Sequence, residues 1–318
     1  MNNLKILFSG TPDFAVESLK ILIENGYNIC GVITAPDKPA GRGMVMQQSA
    51  VKKYAQSKGL LILQPEKLKD TTFLLQVASL NADLHIVVAF RMMPEQLWSM
   101  PRLGTLNLHA SLLPQYRGAA PINRAIMNCE RTTGVTTFFL KHEIDTGDII
   151  LAEKVDIGPS ETAGELHDRL KHVGAALILK TVQQIEKGNL CTTPQNSITT
   201  EIKHAPKIFK NDCLINWSDK ASHIFNQIRG LSPYPGAFTI LKNKNEKELT
   251  LKIYVATISE SIEFLEAGKI ISDNKSFLNI AASDGLISIK ELQLEGKKRM
   301  TVVDFMRGFS INDYTVKK

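Results

Sequence analysis

The sequence predicts an α/β protein, a mostly parallel sheet with helices on both faces, followed by a smaller all-β domain. Three observations carry this expectation. Through the first half, short aliphatic and β-branched runs alternate with amphipathic segments, the rhythm of a parallel sheet with crossover helices. Between residues 188 and 204 the apolar periodicity vanishes and Asn, Thr, Ser, Pro and Gln dominate, as in an inter-domain linker. Beyond Ala205 the pattern changes to short strands with little helix between them, which suggests a small antiparallel barrel or sandwich. The expected division is a Rossmann-like domain at residues 1–188, a linker at 189–204 and a second domain at 205–318.

Residues 5–8 read as the first strand and 14–24 as the first helix, with Thr11 as its cap and Pro12 at its first position. Strands follow at 29–34, 61–63 and 84–88, and helices at 50–57 and 72–80, with Gly26 and Gly59 closing two of the helices. An apolar strand enters the stretch 106–114, and a β-branched and aromatic one runs from Gly134 to Leu140. Thr162 and Glu165 form a capping-box pattern ahead of a helix whose Leu166, Leu170, Val173 and Leu177 share one face; its His167 and His172 read as bystanders. In the second domain strands are expected at 249–258, 269–271, 277–281 and 286–294, with Asp284-Gly285 as a hairpin turn.

At 318 residues the chain can bury two cores, and 43% hydrophobic with 22% charged content is ordinary for a folded globular protein. The N-terminus lacks the apolar core of a secretory signal and no run reaches membrane-span length, so the reading is cytoplasmic, with no membrane partner. Four cysteines without Cys-x-x-Cys spacing disfavour a disulfide scaffold and structural zinc, and no metal is expected. The net charge of +6 permits a polyanionic partner. Much of the excess is local: Lys38, Arg42, Lys52, Lys53 and Lys58 face a single anion, Asp37, between residues 36 and 58.

The most informative stretch is 106–114, where Asn107 and His109 interrupt an apolar strand. Side chains alternate along a strand, so these two share one face. A second piece is the Gly-bearing turn His142-Glu143-Ile144-Asp145-Thr146-Gly147-Asp148, rich in carboxylates. An amide and an imidazole can stabilise an oxyanion, and a carboxylate can orient the imidazole and help move a proton, a set that suits acyl transfer to an amine. Open parallel sheets bind ligands beyond the C-terminal strand ends, where this reading places Asn107, His109 and the Asp145 turn.

The chain resembles the folate-dependent formyltransferases over nearly its whole length, and among them those acting on methionyl-tRNA. The resemblance rests on Phe8-Ser9-Gly10-Thr11-Pro12-Asp13-Phe14-Ala15, on Pro36-Asp37-Lys38-Pro39-Ala40-Gly41-Arg42-Gly43, on residues 107–122 and on Asp145-Thr146-Gly147-Asp148. It continues in the second domain through Arg229-Gly230-Leu231-Ser232-Pro233-Tyr234-Pro235-Gly236 and Glu295-Gly296-Lys297-Lys298-Arg299-Met300. It implies formyl transfer from 10-formyltetrahydrofolate to the α-amino group of methionine on initiator tRNA, by a protein expected to be monomeric. Asn107, His109 and Asp145 match the family's catalytic trio. Asn107 and His109 would donate to the oxyanion while Asp145 orients His109 and assists proton movement. Ser111, Leu112, Leu113 and Pro114 match its folate-binding segment, and Phe90 and Met92 would help form the pterin slot. Arg91 stands where relatives more often carry glycine. The segment around Lys38 and Arg42 corresponds to an insertion loop that enters the acceptor stem of tRNA. The second domain resembles an OB-like barrel that would meet the tRNA backbone through Lys297, Lys298 and Arg299.

Three other readings stand beside this one. A dinucleotide-dependent dehydrogenase fits the fold, but Gly10-Thr11-Pro12-Asp13-Phe14 lacks the Gly-x-Gly-x-x-Gly turn. A non-catalytic tRNA-binding protein would leave Asn107, His109 and Asp145 idle. A sugar-nucleotide formyltransferase would use the same trio and the same folate donor, and the 36–43 segment argues against it.

Overall fold

The computed structural model describes residues 4–40, 45–197, 201–259 and 265–317. The chain packs into two units. One comprises Met1–Gly118, Thr132–Asp156 and His167–His204; the other comprises Ala119–Arg131, Ile157–Leu166 and Ala205–Lys318. The break at residues 204 and 205 is where the sequence pattern changes, but the second unit also recruits two segments from the first half of the chain. No helix among the described residues is long and apolar enough to cross a membrane.

The first unit is built on a seven-stranded sheet with strands β1 (Lys5–Gly10), β2 (Asn28–Ile33), β3 (Ile62–Leu63), β4 (Leu84–Val88), β5 (Thr105–His109), β6 (Thr132–Phe139) and β7 (Ile149–Asp156). Their order is β7-β6-β5-β4-β1-β2-β3. The five strands from β5 to β3 are parallel, and β6 and β7 are added antiparallel. β4 is buried at every position, as expected of a strand covered on both faces. Helices α3 (Thr71–Ser79) and α4 (Glu95–Trp98) cover one face, packing Phe73, Val77 and Leu97 on Leu7, Ile33 and Leu63. The long helix α6 (Ala163–Glu186) covers the other, with Gly174 against Leu108; a Cβ there would stand 2.6 Å from the leucine side chain.

Local chemistry explains three of the helix starts. Asp70 accepts from the Phe73 N–H at the head of α3, and Ser49 from the Lys52 N–H at the head of α2 (Ala50–Ser57). The Thr162–Glu165 capping box forms in both directions. The first helix departs from expectation: α1 spans Asp13–Glu24, and Pro12 takes the cap position without a side-chain bond, so Thr11 is not the cap. Its Asp13 carboxylate instead lies in the first turn, where it complements the helix dipole.

Backbone register sets out the face that bears Asn107. One row runs Ile33, Ser9, Val87, Asn107 and Phe138, and the row beneath it Leu7, His85 and Thr105. His85 is fully buried, and its Nε2 lies 2.8 Å from the Ser9 hydroxyl.

In the second unit, α5 (Pro121–Met127) packs on α7 (Ala221–Leu231), tied by the Asn123 amide donating to the Gly230 carbonyl at 2.7 Å. The strands are β8 (Ala237–Asn243), β9 (Glu248–Ser259), β10 (Ile270–Ser272), β11 (Leu278–Ala281), β12 (Leu286–Leu294) and β13 (Tyr314–Val316). They form an antiparallel near-barrel in the order β10-β11-β12-β9-β8-β13, with Met300–Thr301 pairing on β12. Buried Trp217 anchors the core and donates its indole N–H to the Thr239 hydroxyl at 3.0 Å. The helical content is higher than the strand-dominated pattern suggests, because α7 and the borrowed α5 plug this sheet's flank.

Burial pulls the His85 pKa down from 6.5 to about 3. The unfolded chain therefore binds a proton below about pH 6.5 that the folded protein refuses. Stability should fall between pH 6.5 and pH 3 by up to about 1.4 kcal/mol per pH unit from this group alone. Urea titrations from pH 7 to pH 4 should show a shallower loss in His85→Leu than in wild type. Parallel curves would contradict the assignment.

Candidate active site

The site forms where β5 runs out. Asn107 is half-buried, pairing with Val87 and Phe138, and His109 ends the strand on the same face with 7% exposure. The chain then folds back through Ser111 to Gly118, and this loop is pinned from within. The Thr136 hydroxyl donates to the Ser111 carbonyl at 2.6 Å and accepts from the Leu113 N–H at 3.1 Å. The Ser111 hydroxyl donates to the Gln115 carbonyl at 2.6 Å. Leu112 lies over Gly134, where any Cβ would come within 2.5 Å of it.

The Asp145 turn is brought to this edge by the antiparallel pair β6–β7. Asp145 has a left-handed backbone, φ 55°, and its carboxylate accepts from the Gly118 N–H at 2.9 Å. The same oxygen lies 3.7 Å from His109 Nδ1, with both side chains about nine-tenths buried. On its other side the His109 ring places Nε2 2.8 Å from the Tyr116 carbonyl. A carbonyl only accepts, so Nε2 carries the hydrogen, and Nδ1 is the position at which a proton passes to or from Asp145. Gly147 is required by space, since a Cβ there would collide with the Phe139 carbonyl. Asp148 pairs with Lys141 at 2.8 Å, which leaves Asp145 as the carboxylate that faces the imidazole.

The three expected residues lie at one sheet edge: Asn107 and His109 share a face of β5, and Asp145 stands beside the His109 ring, both of whose nitrogens are directed at protein groups. Asn107 Oδ1 is buried without a hydrogen-bond partner in the described structure.

The expected folate residues divide. Ser111, Leu113 and Pro114 are buried, and the Ser111 hydroxyl is engaged, so they form the packed floor of the loop. Leu112 and Phe90 are half-buried, Phe90 resting on the α3–α4 core, and Met92 is 71% exposed. Arg91 turns away to the carbonyls of Pro65 and Glu66, at 2.5 and 2.8 Å. Two cavities, of about 630 and 510 Å³, lie elsewhere, one wholly in the second unit and one beside the start of α3.

Among the cations, Lys38 is exposed at the start of a short hairpin pairing Lys38–Ala40 with Val45–Gln47, and Arg42 lies outside the described residues. Lys52 is held by Asp37 at 2.6 Å, and this contact, with Gln64, keeps the Asp37 carboxyl below its usual range. Lys297 and Lys298 are exposed. Arg299 is turned onto its own domain, 2.7 Å from Glu291 and over the Tyr254 ring at 4.7 Å. Among the described residues, Asp13, His167 and Asp168 make the one acidic group close enough to share an ion, and the Lys171 ammonium already sits 2.8 Å from Asp168 and 3.5 Å from Asp13.

One contributor is invisible in the sequence. Gln195, in the expected linker, is 3% exposed and donates to the carbonyls of Asp145 and Gly147 at 2.9 and 2.7 Å. Its oxygen accepts from Arg117 Nε and Nη2 at 3.0 and 2.6 Å. The linker is therefore a brace that locks the Asp145 turn to the Tyr116–Gly118 loop.

The formyl transferase family matches residues 2–182, and the formyl transferase C-terminal domain matches residues 207–310. The chain is 53% identical to the methionyl-tRNA formyltransferase of Parabacteroides distasonis over 99% of its length and 98% of that protein's. It is 52% identical to that of Flavobacterium johnsoniae, covering 98% of each. Among solved structures it is similar to the N-formyltransferase from Helicobacter canadensis in complex with folinic acid and dTDP-3-aminofucose. There the TM-score is 0.66 at 21% identity, covering 93% of this chain and all of that one.

Gln195→Ala strips partners from two turn carbonyls and the Arg117 guanidinium, and should cost about 1–3 kcal/mol in urea unfolding. An unchanged midpoint would show that the brace is dispensable.

Proposed function

The chain belongs to the formyl transferase family, and from that membership we propose that it transfers a formyl group from 10-formyltetrahydrofolate to the α-amino group of methionine on initiator tRNA, giving formylmethionyl-tRNA for translation initiation. The observation that carries this reading is the likeness to methionyl-tRNA formyltransferases along essentially the full chain, joined to the meeting of Asn107, His109 and Asp145 at the ends of β5 and β6. We place the enzyme in the cytoplasm and treat it as a monomer.

In the reaction the amine nitrogen bonds to the formyl carbon, the bond from that carbon to the folate nitrogen breaks, and one proton passes from the attacking nitrogen to the departing one. Asn107 donates an amide hydrogen to the formyl oxygen as negative charge grows there. His109, with Nε2 anchored on the Tyr116 carbonyl, offers Nδ1 as a proton station, and the Asp145 carboxylate stabilises the ring whenever it is cationic. The Gly118 N–H and the Gln195 brace keep that carboxylate from swinging into solvent. Leu112 and Phe90, the half-buried apolar side chains at this edge, fit a flat pterin wall, and Met92 lies further out. On the tRNA side, Lys38, Lys297 and Lys298 are the exposed cations assigned to phosphate binding, with Arg42 joining them by resemblance.

Asn107→Ala and Asp145→Ala should each lower kcat for formylmethionyl-tRNA formation roughly 10²- to 10³-fold, with tRNA affinity within twofold of wild type. Turnover that survives both changes would remove the trio from the chemistry. Replacing Lys297 and Lys298 together by alanine should flatten the salt dependence of tRNA binding by about 0.7–0.9 log units per log unit of salt for each phosphate no longer neutralised. An unaltered slope would exclude that face of the second unit.

A further inference from the structure

Ser9 and His85 form a polar pair sealed inside the sheet face that also bears Asn107, with both residues fully buried and 2.8 Å between Oγ and Nε2. Leucine and valine neighbours would pack such a position with no desolvation penalty, so stability alone does not account for the pair. Its position is informative. Ser9, Val87 and Asn107 form one row of the sheet, and His85 lies in the row beneath, on the strand between those of Ser9 and Asn107. His85 is thus the diagonal neighbour of Asn107 on the same face of the adjacent parallel strand.

Two buried polar atoms on this face have no hydrogen-bond partner in the described structure: His85 Nδ1 and Asn107 Oδ1. They are complementary. When the Ser9 hydroxyl donates to Nε2, the imidazole hydrogen resides on Nδ1, which is then a donor opposite an acceptor. The carboxamide of Asn107 is nearly symmetric in shape, so what it meets on its inner side decides which end faces outward.

We propose, building on the oxyanion role given to Asn107 above, that His85 is its positioning residue. The His85 Nδ1–H anchors Asn107 Oδ1 toward the core through one bridging water, and so turns the Nδ2 hydrogens toward the formyl oxygen. Ser9 sets the tautomer that makes this possible. The reaction then depends on a relay from Ser9 through His85 to Asn107 that touches no substrate at its inner two members.

The test is a double-mutant cycle on the full-length enzyme with methionyl-tRNA and 10-formyltetrahydrofolate. His85→Leu should still unfold cooperatively at pH 7.5, with a midpoint lowered by the orphaned Ser9 hydroxyl, and lose roughly tenfold in kcat, the worth of one ordinary hydrogen bond. KM for both substrates should stay within twofold. Ser9→Ala should move kcat the same way by a smaller factor, and His85→Gln, which keeps a donor, should recover part of the loss. The decisive readout is non-additivity: with Asn107→Ala already present, His85→Leu or Ser9→Ala should cost nothing further. Wild-type kcat in both His85→Leu and Ser9→Ala, or losses that multiply with that of Asn107→Ala, would overturn the relay alone. If His85→Leu does not fold, the Ser9→Ala cycle decides. Wild-type turnover in Asn107→Ala would instead overturn the catalytic reading on which the relay rests.

Discussion

The arrangement depends on holding one carboxylate, that of Asp145, beside the His109 ring. A carboxylate with about a tenth of its side chain exposed gives up most of its hydration, and fixed donors take the place of water. The Gly118 N–H supplies one, and the imidazole, when protonated, supplies the next. The left-handed backbone at Asp145 and the space-restricted Gly147 aim the turn, and Gln195 ties its carbonyls to Arg117. Removing any of these leaves the charge in place but frees its direction, and direction is what a proton relay needs.

The sheet supplies the rest of the geometry. Parallel strands β4 and β5 deliver Val87 and Asn107 to the same row, and the two antiparallel strands carry the Asp145 turn back to the same edge. Acyl transfer to an amine requires a donor for the oxygen and a path for a proton. In the reaction proposed above those duties are divided, with Asn107 given the first and His109 with Asp145 the second, because the Tyr116 carbonyl occupies the far nitrogen of the ring.

Much of this was legible in the residues, for physical reasons. The first-half strands and helices have strong periodicity and cap chemistry, and they appear close to where the pattern puts them. The placement of Asn107, His109 and the Asp145 turn at one edge was legible because polar side chains at the end of an apolar strand, and carboxylates in a Gly turn, stand out from the apolar pattern. Gln195 was not, since a glutamine in a polar linker carries no sign of burial until the chain folds over it. The pairing of Arg299 with its cross-strand partner Glu291 was not legible either, because nothing local reveals it. The Thr11 cap failed because Pro12 itself occupies the cap position, and the borrowed helix α5 was missed because packing across sequence distance leaves no periodic trace. Ser111, Leu113 and Pro114 sit in a motif associated with ligand, yet most of their surface builds the loop that presents Leu112 and the trio.

The central claim is that this chain moves a formyl group onto the amino group of a tRNA-bound methionine. The most direct measurement is the rate of labelled formyl transfer from 10-formyltetrahydrofolate by the purified full-length protein, with methionyl initiator tRNA and an amino-sugar nucleotide as competing acceptors in one mixture. The account predicts label almost entirely in formylmethionyl-tRNA. Preferential labelling of the amino sugar, or no transfer to either acceptor, would contradict it.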